Sequence, residues 1–530
     1  MKLTVHSFCI VALFTAQVLA LRPNIPSASP FKHRQGLRKP SRLSSLLINP
    51  DAHPNLPTSD AAASAANAAN LNLDDIQGDI LIGMKKNQEL FYFFSIEDPS
   101  DFKPKLASDI LPNITSTSQL LDVSKQPVTM LNIAFSATGL SALGVNESLG
   151  DSAFAGGQFK DSRSLGDPGS DNWVPEFAGT DIHGVLLFAS DSQDNINDAV
   201  FELESALGGS IKKVYSLAAA ARTGSQAGHE HFGFLDGISN PAVEGFNADQ
   251  AMPGQARISS GTILLGESGD FGRGRPAWAK DGSFLVFRQL KQLVPEFNKF
   301  LVDNPIVGNG LTREEGSELL GARMMGRWKS GAPIDLAPLR DDPELGADPL
   351  RNNNFTYAHA DLDLSTDQSR CPFSAHTRKT RPRADQGENL VTQIMRAGIP
   401  YGPEVSDDEA AANTTSTERG LAFVAYQSNI GNGFRFMQQT WANSIKSALH
   451  LPRPCRIMYS LSTSLSFVNP GVGVDPIIGS LAGAERVIKG MDPSNANQTI
   501  TLTGNNFVIS RGGEYMFAPS LSAIASKLSV

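Results

Sequence analysis

Four short apolar runs constrain what this chain can fold into. They are ELFYFFSI (89–96), GVLLFAS (184–190), SFLVFRQL (283–290) and GLAFVAYQS (420–428). Each has the length of a strand and is rich in β-branched or aromatic residues. Helix-like segments follow three of them: the polar stretch 191–206, KQLVPEFNKFLVDN (291–304) with an internal proline, and FRFMQQTWANSI (434–445), which fits a helix start or a strand-to-helix turn. Strands alternate with helices across long irregular loops, which points to an α+β fold with antiparallel sheets. The strand–helix–strand pattern recurs in 85–290 and 350–530, as a duplicated domain would produce.

The two ends read differently. A basic head, a short apolar run from Phe8 to Leu19 and a terminal Ala20 form the pattern of a secretory signal peptide at 1–20. No later stretch reaches about 18 uninterrupted apolar residues, so no membrane span is expected. Residues 21–70 are rich in Pro, Ser, Arg and Lys, then in Ala and Asn. They read as a flexible prosegment removed on maturation. Of 45 Lys/Arg and 54 Asp/Glu, seven and two lie in 1–70, leaving 38 basic against 52 acidic residues in the mature part. That acidity argues against nucleic acid and anionic membrane surfaces as partners. Cys371 and Cys455 remain after the signal peptide, enough for one disulfide. Sequons at Asn113, Asn146, Asn354, Asn413 and Asn497 are glycosylation candidates in a secreted chain.

Three stretches could carry chemistry. GHEHFGFLDG (228–237) sets Asp236 beside Phe232, Phe234 and Leu235, and a carboxylate next to apolar bulk is costly unless paired, neutralised or used. Its His229 and His231 could share a metal or simply be hydrogen-bonded. RCPFSAHTRKTRPR (370–383) surrounds His376 with cations. These favour neutral, ligating imidazole and suit an anionic partner; a solvated basic loop is the plainer alternative. QIMRAGIPYGPE (393–404) places Arg396 in an apolar run, to hold an oxygen anion or a structural carboxylate.

Taken together, these stretches resemble the dye-decolourising peroxidases of the secreted fungal type. The family's GxxDG stands at Gly233-Phe234-Leu235-Asp236-Gly237, its proximal-histidine block at CPFSAHTRKTRPR and its distal arginine in RAGIPYGPE. LNLDDIQGDILIGMKK (71–86), GLAFVAYQSNI (420–430) and GGEYMFAPS (512–520) extend the match over 71–530. The resemblance implies two ferredoxin-like α+β domains, 71–300 and 301–530, with antiparallel sheets flanked by helices. The second would bind one haem b per chain, and the GxxDG loop of the first would close its distal side. It implies an extracellular, monomeric enzyme using hydrogen peroxide to oxidise dyes, phenols and other aromatics by one-electron steps through a ferryl intermediate. His376 would ligate iron, backed by Asp475 in GVDPIIG. Asp236 would be the acid/base, with an acidic pH optimum, and Arg396 would stabilise developing charge. Arg378 and Arg383 match propionate contacts, Leu421 and Phe423 the distal lining, and Tyr401 and Trp441 the surface rings that pass electrons from bulky dyes. Two other readings stand beside it: a haem-binding protein of the same fold with little turnover, and a non-haem metalloenzyme centred on His229 and His231.

Overall fold

The computed structural model describes residues 56–446, 471–480, 485–502 and 506–530, apart from 85–86, 168, 180 and 388–389. The signal peptide, most of the prosegment, His450 and Cys455 lie outside the described residues. Cys371 is buried as a free thiol.

The strands of the principal sheet are β1 (Gln88–Ile96), β2 (Met130–Ser136), β3 (Gly184–Ser190), β4 (Ile211–Ala220), β5 (Ser283–Gln292), β6 (Met395–Arg396), β7 (Ile399–Tyr401), β8 (Gly420–Gln427) and β9 (Val508–Ala518). Their order is β4-β1-β3-β2-β9-β5-β8-β6, with β7 also on β8. The first quartet runs 4-1-3-2. The second repeats that order, with the interrupted pair β6 and β7 as its second strand. Every pairing is antiparallel, and β2 joins β9 through Ser136↔Met516 and Phe135↔Phe517. Duplicated ferredoxin-like halves are therefore fused edge to edge. The second quartet begins with β5, so the strands divide between residues 220 and 283, ahead of the 300/301 division expected from sequence.

Both faces of the sheet are covered, which is why its strands read as near-continuous apolar runs. Along β1, Phe91 and Phe93 enter one core with Leu187, Phe287 and Val424. Tyr92 and Phe94 enter the other with Leu131, Ile133, Ile196 and Leu203. The last two come from α2 (Gln193–Leu207), whose buried Ile196, Ala199, Leu203 and Leu207 form one helical stripe. Phe287 stands 5.1 Å from Phe91, 4.9 Å from Phe93 and 5.8 Å from Phe177, ring centre to ring centre. Phe287→Ala is expected to cost about 3–5 kcal/mol, read as a lowered denaturation midpoint.

One correction concerns the prosegment. Residues Ser59–Ala69 form a helix, α1, capped by Thr58 and stopped by Asn70 in the left-handed region (φ 57°). Alanine is the best helix former, and Ala62 and Ala66 are small enough to bury against the core. Ser59 Oγ also donates to Leu121 O at 2.8 Å.

A third layer forms around α3 (Val294–Asp303) and α4 (Arg313–Met325). Thr312 and Glu315 make a capping box at the start of α4, and Gly326 ends it at φ 94°. A Cβ on Gly326 would lie 1.9 Å from Thr377 Oγ1. The absence of that carbon lets the end of α4 approach α5 (His376–Thr380), the short helix that begins with the candidate ligand.

Candidate active site

Three glycines shape the loop carrying Asp236. Gly228, Gly233 and Gly237 have φ of 78°, 92° and 80°, a region open to glycine and costly for other residues. The loop doubles back, with Asp236 N donating to Gly228 O at 3.0 Å. Phe232 and Phe234 pack against the α3–α4 layer, 4.5 and 6.4 Å from Phe297. With Leu235 and Asp236 they also line a cavity of about 280 Å³. The apolar neighbours therefore anchor the loop and share the cavity wall with the carboxylate.

Arg396 on β6 meets Asp236 there, Nη1 to Oδ1 at 2.8 Å. Asn240 fixes Arg396 through its backbone, accepting from Arg396 N at 3.2 Å and donating to Arg396 O at 2.9 Å. Burial raises the Asp236 carboxyl pKa, but the charge and hydrogen bond of Arg396 and the Gly237 N–H outweigh it. The net result lies below the ordinary aspartate value.

His376 lines the same cavity, and its Nδ1 lies 2.7 Å from Asp475 Oδ2. Asp475 is fully buried, and its Oδ1 accepts from Ile477 N and Ile478 N at 2.8 and 3.0 Å. An acceptor-only carboxylate makes Nδ1 the donor and leaves the Nε2 lone pair free. Burial lowers the His376 pKa and Asp475 more than restores it, so the net shift is upward, opposite to the lowering expected from the cations of its own stretch.

Arg327, Arg381 and Arg383 neighbour one another on the same cavity. Their hydrogen bonds end on carbonyls, the Asn353 amide and the Ser239 hydroxyl, with no carboxylate among the described partners. Burial and then the neighbouring Arg383 push Arg327 and Arg381 down to about 9. Uncompensated buried cations call for an anionic ligand. Leu290, Leu421, Phe423 and Phe434 line the same cavity. An imidazole lone pair, an apolar lining and a cationic cluster form a donor set that fits haem, with iron at His376 and carboxylates at the arginines.

Both halves of the chain match family models, "DyP dimeric alpha+beta barrel domain" over 75–223 and "Dyp-type peroxidase, C-terminal" over 229–451. The chain belongs to the dye-decolourising peroxidase family. It is 55% identical to peroxidase 2 of Mycetinis scorodonius over 518 residues, 95% of this chain and 97% of that one. It is 53% identical to a dye-decolorizing peroxidase of Auricularia auricula-judae, covering 92% of each. The crystal structure of a decolorizing peroxidase from Auricularia auricula-judae matches with a TM-score of 0.79 at 54% identity, over 87% of this chain and 100% of that one. A dye-decolorizing peroxidase whose heme pocket was engineered for asymmetric sulfoxidation matches with a TM-score of 0.80 over the same shares, also at 54% identity.

Within this dye-decolourising peroxidase fold, Asp236, Arg396, His376, Arg383, Leu421 and Phe423 line one cavity, and Asp475 stands directly behind His376. Arg378 does not belong with them. It is 3% exposed and doubly bonded to Asp385, Nε to Oδ2 at 2.7 Å and Nη2 to Oδ1 at 2.8 Å. Its charge is already neutralised, and Arg381 and Arg327 line the cavity instead. The surface placement of Tyr401 and Trp441 is also corrected, since they are 4% and 1% exposed. Tyr401 lies inside the curled sheet with its hydroxyl 3.2 Å from Glu418 Oε1, and Trp441 packs edge-on against Phe436 at 5.4 Å. Of the sequon asparagines, Asn146, Asn354, Asn413 and Asn497 are exposed. Asn113 is half-buried, with Nδ2 donating to Asp109 O at 2.7 Å.

His229 and His231 do not converge on a metal. His229 uses both ring nitrogens on carbonyls, Ala227 O at 2.9 Å and Lys329 O at 3.1 Å, while His231 Nε2 reaches Tyr401 O at 2.9 Å. Burial pushes His231 down to about 4, so it is a neutral donor. Among the described residues no group of three or more His, Cys, Asp or Glu could hold a metal ion.

Proposed function

We propose that this chain is a secreted, extracellular haem peroxidase that uses hydrogen peroxide to oxidise dyes, phenols and other aromatic compounds by one-electron steps. The observation that carries this reading is the Asp236–Arg396 pair, 2.8 Å apart, on the same cavity as an imidazole backed by Asp475. The dye-decolorizing names of its relatives support the substrate class. Haem b, one per monomeric chain, would be held by His376 Nε2, with its carboxylates toward Arg327, Arg381 and Arg383. Bound there, it supplies the redox chemistry. The signal-like first 20 residues and the exposed sequon asparagines support a secreted glycoprotein; removal of the prosegment to about residue 70 would take α1 away from the core it packs on.

The protein's own part is proton handling and charge. Asp236 Oδ1 is occupied by Arg396 and Gly237 N, at 2.8 and 2.6 Å, which leaves Oδ2 for the peroxide. Oδ2 takes the proton from one peroxide oxygen and returns it to the other, so that water leaves. Arg396 faces the oxygen on which negative charge grows. Leu421 and Phe423 limit the water that competes for both groups.

The working base is the ionised carboxylate. Its pKa is lowered, so the base form persists below the ordinary aspartate range, and reaction with peroxide is lost only as pH falls through the lowered value. Arg396→Leu removes the pull and leaves burial, which acts upward. The acid limb of the peroxide rate should therefore move to higher pH as the rate itself falls. An unmoved limb in the pH profile of the haem-loaded variant would argue against Asp236 as the base.

A further inference from the structure

The His229-Glu230-His231 stretch, which reads from sequence as a possible metal site, has its most informative member in the middle. Glu230 is 9% exposed, yet it has no cationic partner among its side-chain contacts. Its carboxylate instead receives the backbone of the loop that follows. Phe234 N donates to Oε1 and Phe232 N to Oε2, both at 2.8 Å, and Gln292 Nε2 on β5 donates to Oε2. The Glu230 backbone is held as well: its N–H donates to Phe234 O at 3.0 Å, and its carbonyl accepts from Arg222 Nη1 at 2.5 Å. Two residues beyond Phe234 comes Asp236. The flanking histidines fasten the same loop outward, to Lys329 O and Tyr401 O.

The geometry points to Glu230 as the positioning residue that fixes the Asp236 carboxylate against Arg396. This rests on the acid/base reading of Asp236 given above and adds the device that holds it. Glu230 lines the same cavity as Asp236 and Arg396 but hydrogen-bonds to neither, so its hold on Asp236 passes through the backbone. Only an acceptor-only group of glutamate length can receive both N–H groups at once. A buried carboxylate is a costly way to hold a loop, and that cost has a return only if the placement of the loop matters. Glycine at 233, between the two bonded amides, gives the backbone the φ of 92° this closure needs.

Glu230→Gln keeps the size but turns an amide NH2 against one of the two backbone donors. Glu230→Asp keeps the charge but is one methylene too short to span them. Both should slow the peroxide reaction about 10- to 100-fold, the scale on which small misplacements of reacting groups act. Haem absorption should stay as in the unmodified enzyme. Both should also move the acid limb of the peroxide rate to higher pH, because a loosened Asp236 loses part of the pull of Arg396. Burial raises the Glu230 pKa, so the aspartate variant, which changes length and not charge type, is the one whose shift reports positioning. Hydrogen exchange of the haem-loaded protein gives a readout independent of turnover, with the Phe232 and Phe234 amides exchanging faster in both variants. Unchanged exchange at these amides, or an acid limb that stays or moves down, overturns the assignment. If glutamine at 230 prevents folding, the aspartate variant decides alone. Failure of the unmodified enzyme to react with peroxide would sink the peroxidase reading itself, a separate outcome.

Discussion

Asp236→Asn is expected to keep the fold and the cofactor and to lose about 10²- to 10⁴-fold in reaction with peroxide, the usual worth of a positioned general acid/base. Asparagine is nearly isosteric, and its Oδ1 can still accept from Arg396 and from Gly237 N, so the loop keeps its course. An amide cannot take up the peroxide proton at the position of Oδ2. Asp236 and Arg396 line the cavity and not the packed core, so the variant should change stability far less than it changes the reaction. Rapid-mixing kinetics with peroxide measure the first effect and thermal unfolding the second. A variant reacting at the unmodified rate would remove Asp236 from the chemistry.

Asp475→Asn is the largest change expected at His376. Asp475 Oδ1 is taken by two backbone N–H groups and Oδ2 by His376 Nδ1. An asparagine that keeps its oxygen on the backbone donors presents NH2 to the imidazole. Nδ1 must then accept, the proton moves to Nε2, and the lone pair meant for iron is gone. If the amide turns round instead, two buried N–H groups lose their acceptor. Either way, haem affinity or activity should fall about 10- to 100-fold, as is typical for partners of a metal-binding histidine. Titration of the cofactor-free protein with haem measures it. Unchanged affinity together with unchanged activity would mean that the 2.7 Å contact orients nothing.

What could be read from the sequence follows from how much each residue type commits the chain. Asp236 between two glycines, His376 among cations and Arg396 in an apolar run are all expensive placements, and each turned out to line the cavity. Arg378 and Arg381 are three residues apart in one basic run. Only the side on which Asp385 folds back decides that the first is neutralised and the second faces the cavity. Tyr401 follows a proline in a segment that looks like a loop, yet it forms β7 on the inner side of the curled sheet. β4 presents no apolar run, because Lys212 and Lys213 break its pattern on a partly exposed strand. The joining of two sheets into one rests on the β2–β9 contact between residues some 380 positions apart, and no local pattern encodes that.

The most direct test of the central claim is the absorption spectrum of the purified haem-loaded protein, before and after one equivalent of peroxide and then with a dye. A Soret band that changes at once with peroxide and returns as the dye is consumed is the expected result. A Soret band indifferent to peroxide would contradict it, leaving a haem-binding protein in which Asp236 and Arg396 face the cofactor without acting on it.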